Sequence, residues 1–157
     1  MSKRVLVTGG GSGIGKVIAE HFAANGDKVF VTDLDERVLA QCPGDWQTLA
    51  GDASDRDHMR DVFDQIQNEW SGIDVVCANA GTAGPTAKVE DIDPEEFSRC
   101  VRVNLESTFL AAKYAAPMMK AQRSGSILIT TSTAGLNGFP NRAPYASAKW
   151  AVIGLMK

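Results

Sequence analysis

Short segments rich in β-branched residues alternate with longer segments of helical periodicity along the whole chain. The strand-like segments span residues 4–8, 28–32, 47–50, 74–78 and 126–130, and helical patterns separate them. Strands that are joined through helices form parallel βαβ units, because the helix carries the chain back to the start of the next strand. The alternation therefore predicts a doubly wound α/β fold, with helices on both faces of a parallel sheet.

Two helix starts are marked clearly in the sequence. One apolar stripe at helical spacing consists of Met59, Val62, Phe63, Ile66 and Trp70. Ser54 and Asp57 ahead of it form a capping-box pattern, which predicts that this helix begins at Ser54. Asp93, followed by a proline and two glutamates, predicts the start of the next helix. We expect that helix to continue past Asn104 and to bend near Pro117.

Composition limits the possible partners and the compartment. The 157 residues, 44% of them hydrophobic, suit a single domain over 1–157. A net charge of -3 provides no basic surface for nucleic acid or for anionic membranes, and no apolar run is long enough to span a bilayer. The cysteines form no CxxC pair, and His21 and His58 lack metal-ligand spacing. We therefore expect a soluble cytoplasmic protein with no leader peptide, no membrane partner and no metal.

A glycine-rich turn follows the first strand and leads directly into a helix. The turn consists of Gly9, Gly10, Gly11, Ser12, Gly13, Ile14 and Gly15. A backbone without Cβ atoms can approach a pyrophosphate closely, and the N–H groups at the start of the helix attract its negative charge. The glycines alone are weak evidence, because a merely flexible turn has the same composition. Their position between a strand and a helix favours a dinucleotide site.

The second strand ends at Asp33, which Leu34 follows. A carboxylate at this place can accept hydrogen bonds from the adenosine ribose hydroxyls. A 2′-phosphate about 4 Å away would be repelled by about 4 kcal/mol per charge pair at an effective dielectric constant of about 20. No lysine or arginine adjoins Asp33 in the sequence, although Lys16 and Arg37 remain possible phosphate partners. These considerations predict NAD as the cofactor in preference to NADP.

Ser132, Tyr145 and Lys149 form a candidate catalytic group. Lys149 follows Tyr145 by four positions, so the two side chains share one face of a helix. An ammonium group beside a phenol favours the phenolate, which can accept a proton from an alcohol. Ser132 can hold the substrate oxygen. Taken singly, each residue also has an ordinary structural explanation: Ser132 as a serine at a strand end, Tyr145 as an aromatic at a helix start and Lys149 as a surface charge.

The whole set of motifs resembles the short-chain dehydrogenase/reductase family. The matching positions, in chain order, are Gly9, Gly13, Gly15, Asp52, Asn79, Ala80, Gly81, Asn104, Ser132, Tyr145 and Lys149. The resemblance implies a catalytic tetrad in which Tyr145 is the general acid/base and Ser132 orients the substrate oxygen. It also implies that Lys149 binds the nicotinamide ribose and favours the phenolate, while Asn104 supports a water that relays protons from Lys149.

The same resemblance implies a cofactor path and a reaction. Asp52 and Ala53 would contact the adenine, and Asn79 would stabilise the central sheet and border the cofactor. The reaction would be hydride transfer between nicotinamide and the carbon of a secondary alcohol or ketone. The loop over residues 136–144 would line the substrate entrance, with Leu136, Phe139 and Pro140 as its apolar part.

Family members continue beyond the catalytic tyrosine into a proline-glycine loop, a substrate lid and further strands. This chain ends at Lys157, so the resemblance predicts a Rossmann-like doubly wound parallel sheet that is C-terminally incomplete, with an exposed edge at its fifth strand. Family members also pair helices across a two-fold axis, which implies a homodimer or homotetramer through the helix of Asn104 and the helix of Tyr145. The alternatives are a non-catalytic dinucleotide-binding regulator or scaffold and, less favoured, a sugar epimerase or dehydratase.

Overall fold

The computed structural model describes residues 2–157. Its strands are β1 (Arg4–Thr8), β2 (Lys28–Asp33), β3 (Gln47–Ala50), β4 (Val75–Ala78) and β5 (Ser126–Ile129). They form one parallel sheet in the order β3-β2-β1-β4-β5. The chain winds outward in both directions from β1, so a crevice opens beyond the carboxyl ends of β1 and β4. The predicted strands are confirmed to within one residue at each end.

Within residues 2–157, five α-helices lie between successive strands and a sixth follows β5. They are α1 (Gly13–Ala24), α2 (Glu36–Leu39), α3 (Arg56–Trp70), α4 (Pro94–Val101), α5 (Ser107–Gln122) and α6 (Ala143–Met156). One apolar cluster packs Leu6 of β1 against α3 and α5, and a second packs Val5 and Val7 against α1 and α2. Adjacent residues of β1 thus point to opposite faces, and both faces are buried. This arrangement confirms the doubly wound fold.

The start of α3 differs from the prediction. Asp55, not Ser54, is the N-cap residue, and its carboxylate accepts a hydrogen bond from the His58 N–H at 2.8 Å. The Ser54 hydroxyl instead donates to Asp52 Oδ1 at 2.7 Å, which removes it from the helix end. The predicted start of the next helix is confirmed, since Asp93 caps α4 through the Glu95 N–H at 2.7 Å.

The helix predicted to run past Asn104 is interrupted there. Residues Arg102–Glu106 form a π-helical turn between α4 and α5. The Asn104 side chain bonds back to the Cys100 carbonyl at 2.9 Å, and the Thr108 hydroxyl bonds to the Asn104 carbonyl at 3.1 Å. Both bonds join a side chain to a backbone carbonyl four residues earlier, and the π-helical turn lies at the residue they share. Pro117 lies inside α5, and a bend there stays a prediction.

The two edge strands of the sheet are β3 and β5. β5 is an edge strand, and Leu128 on it is 51% exposed beside Val17 of α1. Cys77, on the neighbouring strand, is buried as expected for a core residue, and burial raises its pKa to about 11. No helix within residues 2–157 combines the length and the apolar character needed to cross a membrane.

Candidate active site

The glycine-rich turn has a backbone that favours glycine. Gly9 and Gly13 have φ angles of 61° and 52°, in the left-handed region. The Gly9 N–H donates to the Thr32 carbonyl at 2.8 Å, which joins the turn to β2. A Cβ atom on Gly15 would overlap the Gly9 carbonyl and lie 2.7 Å from Asn79 Nδ2. Glycine is therefore required for α1 to pack directly against the turn.

The start of α1 is available to an anion. Ser12 is the N-cap residue, and its side chain makes no capping hydrogen bond. The first N–H groups of a helix have no partner inside the helix, and the helix dipole adds partial positive charge there. No acidic side chain lies in the first turn of α1. These features fit a phosphate or diphosphate group.

Asp33 lies where β2 ends and is held by backbone amides. Its Oδ2 atom accepts from the Gly11 N–H at 3.0 Å, and its Oδ1 atom accepts from the Asp35 N–H at 3.1 Å. No ion pair within residues 2–157 involves Asp33. The carboxylate is therefore fixed in direction and keeps its negative charge unpaired.

Asp33 lines a cavity of about 390 Å³ above the carboxyl ends of the strands. Its lining includes Leu34, Asp52, Ala53, Asn79, Ala80 and Gly81. Arg99 of α4 and Arg102, directly after α4, also line it. The Asp52 Oδ1 atom accepts a hydrogen bond from the Ser54 N–H at 2.8 Å, which orients the carboxylate. The two arginines were not predicted as site residues. Arg99 precedes Asn104 by five positions and Arg102 precedes it by two.

Asn79 joins three strands at the centre of the cleft. Its Nδ2 group donates to the carbonyls of Thr8 and Gly9 at 3.2 and 3.1 Å. Its Oδ1 atom accepts from the Thr130 hydroxyl at 3.2 Å. The side chain thereby ties the end of β1 to the segment after β5, beside the glycine-rich turn.

Asn104 is fully buried and has one unpaired polar atom. Its Nδ2 group donates to the Thr82 carbonyl at 2.8 Å, whereas its Oδ1 atom has no hydrogen-bond partner. A Cβ atom on Gly81 would lie 2.8 Å from Asn104 Oδ1 and 3.7 Å from Lys149 Nζ. Glycine thus keeps space free between an acceptor that lacks a partner and an ammonium group, and such a buried acceptor calls for a bound partner.

Tyr145 and Lys149 lie close together on α6. Lys149 Nζ is 5.6 Å from the centroid of the Tyr145 ring. Lys149 is 4% exposed and donates to the Thr130 carbonyl at 2.8 Å, and burial lowers the pKa of its ammonium group. Ser132 follows β5, and its Oγ atom accepts from the Ala134 N–H at 3.2 Å, which leaves the hydroxyl proton free to donate.

A second cavity, of about 460 Å³, brings the candidate catalytic residues together. It is lined by Ile14, Gly15, Asn104, Ser132, Phe139, Arg142, Tyr145 and Lys149, among others. It shares Ser12, Asn79, Gly81 and Thr82 with the first cavity, so one cleft extends from Asp33 to Tyr145. Of the predicted catalytic and cofactor-binding residues, only Gly11 and Gly13 line neither cavity. Leu136 and Pro140 were expected in the lining and are not part of it, whereas Arg142, from the same loop over residues 136–144, lines the cavity although it was not named as a site residue.

Comparisons with known proteins agree with this arrangement. An uncharacterized oxidoreductase of Thermotoga maritima is 35% identical over 99% of this chain and 63% of its own length. A trans-4-hydroxycyclohexanecarboxylate dehydrogenase of Sinomonas cyclohexanicum is 37% identical over 99% of this chain and 64% of its own length. The crystal structure of an NAD⁺-bound xylitol dehydrogenase superposes with a TM-score of 0.93 at 29% identity, over 98% of this chain and 62% of that one.

The chain spans about six-tenths of the length of the relatives it matches. Within that span the glycine-rich turn, the buried asparagine and the serine-tyrosine-lysine group all lie along one cleft. The sequence profile described as short chain dehydrogenase matches residues 3–157. The chain therefore belongs to the short chain dehydrogenase family of oxidoreductases.

Proposed function

We propose that this chain forms the cofactor cleft and catalytic centre of an NAD(H)-dependent oxidoreductase acting on a secondary alcohol or ketone. The observation that carries the proposal is the single cleft joining Asp33 at one end to Tyr145 and Lys149 at the other. An extended dinucleotide has the same polarity, with a ribose that carries hydroxyl groups at one end and a reactive ring at the other. A relative named as a dehydrogenase of a hydroxycycloalkane carboxylate supports the substrate class.

The residues of the cleft fit NAD. The turn from Gly9 to Gly15 and the start of α1 would hold the pyrophosphate. Asp33 would accept the adenosine ribose hydroxyls, and Asp52 with Ala53 would border the adenine. The unpaired negative charge of Asp33 disfavours a 2′-phosphate, which supports NAD in preference to NADP. When bound, NAD supplies the hydride acceptor, or as NADH the hydride donor.

Tyr145 is the proposed general acid/base. In alcohol oxidation Tyr145 Oη would accept the hydroxyl proton of the substrate, and bound NAD would supply the acceptor for the hydride from the same carbon, so a ketone would form. The hydroxyl proton of Ser132 remains available to orient the reacting oxygen. Lys149 favours the phenolate, and its buried ammonium group releases a proton more readily than an exposed one, since burial lowers its pKa.

Asn104 is proposed to hold the water that connects Lys149 with solvent. Its unpaired Oδ1 atom and Lys149 Nζ border the same space beside Gly81. A water there would accept from the ammonium group and donate to the amide oxygen, which would satisfy both groups. Protons taken up by Tyr145 would then leave through Lys149.

Self-association is part of the proposal. Phe109 of α5 and Trp150 of α6 are 48% and 53% exposed, although both side chains are large and apolar. Burial of such side chains between copies of the chain would favour a homodimer or homotetramer through these two helices. A cytoplasmic location stays a prediction.

The function is tested by following NADH absorbance with the full chain and a panel of secondary alcohols and ketones. We expect turnover of at least one secondary alcohol or ketone, and faster turnover with NAD(H) than with NADP(H). Binding of NADH without turnover of any compound would contradict the proposal and favour the non-catalytic dinucleotide-binding regulator.

A further inference from the structure

Arg142 places a second cation beside the proposed general acid/base. It precedes α6 and lines the same cavity as Tyr145, Ser132 and Lys149. Its guanidinium carbon is 5.6 Å from the centroid of the Tyr145 ring. One substrate molecule could therefore contact both residues. Its reacting oxygen would lie at Tyr145, and a group a few bonds away from the reacting carbon would lie at Arg142.

The guanidinium group is held in place from one side. Arg142 Nη1 donates to the Thr86 hydroxyl at 2.6 Å. Beside this bond, the Ala87 N–H donates to the Asn141 carbonyl at 3.0 Å, so the loop after β4 and the loop before α6 are joined twice. The position of Arg142 is thus set by the protein, which lowers the entropy that a ligand must remove on binding.

Most of the hydrogen-bonding capacity of Arg142 is unused. A guanidinium group has five N–H donors, and the Thr86 bond uses one of them. Its Nε atom is buried without a hydrogen-bond partner, and none of the ion pairs within residues 2–157 includes Arg142. The lining of the cavity contains no aspartate or glutamate, and the other cation there, Lys149, is already bonded to Thr130.

We propose that Arg142 binds a carboxylate of the substrate, so that the substrate is a hydroxy acid or the corresponding keto acid. This inference rests on the proposed function of the same cavity. The planar fork of a guanidinium matches a carboxylate through two parallel hydrogen bonds. The phosphates of the cofactor have their own donors at the glycine-rich turn, so they do not account for the unused donors of Arg142.

The contrasting explanation is that Arg142 only joins two loops through Thr86. The variants Arg142→Gln and Thr86→Val separate the two roles. Arg142→Gln removes the positive charge and also the bond to Thr86, because glutamine is too short to reach that hydroxyl, whereas Thr86→Val removes only the bond and keeps the charge. Both variants are compared with the parent by thermal unfolding, so that a loss of folding is seen directly.

The kinetic test uses 4-hydroxycyclohexanecarboxylate and its methyl ester, with NAD and the full chain. The ring holds the hydroxyl and the carboxyl group at a fixed separation, and esterification removes only the charge. We expect Arg142→Gln to lower kcat/KM for the acid about 10- to 100-fold more than for the ester, mainly through KM. Thr86→Val keeps the charge but frees the guanidinium group, so it should reduce the preference for the acid less than Arg142→Gln does. Equal losses for acid and ester in Arg142→Gln would overturn the inference.

A binding measurement keeps this test separate from the proposed function. Cyclohexanecarboxylate is titrated calorimetrically into the protein with NAD present, because this acid has no reacting hydroxyl. Weaker binding to Arg142→Gln by about 10-fold or more supports carboxylate recognition even if no alcohol is turned over. Turnover of neutral alcohols together with equal binding of the acid to parent and Arg142→Gln would refute the role of Arg142 and leave the oxidoreductase proposal intact.

Discussion

Replacing Asp33 with asparagine should reduce the preference for NADH over NADPH. The carboxylate is half-buried at the end of β2 and is oriented by the N–H groups of Gly11 and Asp35. Asparagine has nearly the same shape, and its carbonyl oxygen can still accept from Gly11. The variant therefore removes the charge while it preserves the turn and one acceptor for the ribose hydroxyls.

The size of the effect follows from Coulomb's law. A phosphate charge about 4 Å from the carboxylate is repelled by about 4 kcal/mol at an effective dielectric constant of about 20, and by about 1 kcal/mol in bulk water. Asp33 borders an open cleft, so the true value lies between these limits. The parent should bind NADH about 5- to 1000-fold more tightly than NADPH, and Asp33→Asn should lose most of that ratio.

Fluorescence titration with NADH and NADPH measures both dissociation constants. The ratio in the parent should decline as salt is added, because ions screen a partly exposed charge pair. Arg102→Gln is the control, since Arg102 lines the same cavity with the opposite charge. Equal affinities in the parent, or an unchanged ratio in Asp33→Asn, would refute the role given to Asp33.

Three further changes test the fold, its pH dependence and its assembly. Asn79→Ala should lower the free energy of unfolding by about 1–3 kcal/mol in urea denaturation, because it leaves buried partners of the glycine-rich turn unpaired; an unchanged midpoint would contradict this. His58 has a pKa lowered by burial, so the folded state resists its protonation and stability is lost as the pH falls below about 6.5; His58→Gln should lose less stability between pH 7 and pH 5. Trp150→Glu should shift light-scattering mass toward the monomer, whereas a monomeric parent would count against self-association.

The sequence was sufficient for features that local pattern determines. Strand bounds followed from runs of β-branched residues, and the doubly wound sheet followed from their alternation with helices. A glycine also marks the end of α1: Gly26 lies two positions beyond Ala24 and has a φ of 79°, in the left-handed region common just after a helix end. Asp93 with Pro94 marked the start of α4 equally well.

Features that depend on contacts between distant segments were not readable. Ser54 has the residue type of a helix cap, but its hydroxyl donates a hydrogen bond to the Asp52 carboxylate. Asp55 is therefore the N-cap residue of α3. The π-helical turn at Asn104 accompanies a bond from its side chain to the carbonyl of Thr82, which lies 22 positions earlier in the chain. Arg142 enters the cavity because Thr86, from a loop 56 positions earlier, holds it there.

The most direct test of the whole account compares the parent with Tyr145→Phe in two assays. The variant loses only the phenolic hydroxyl, and the adenosine end of the cleft, around Asp33, is untouched. Turnover of a secondary alcohol with NAD should fall by about 100-fold or more, since the transferable proton has no acceptor, while the dissociation constant of NADH stays within about fivefold of the parent's. Turnover by Tyr145→Phe at the parent's rate would contradict the account.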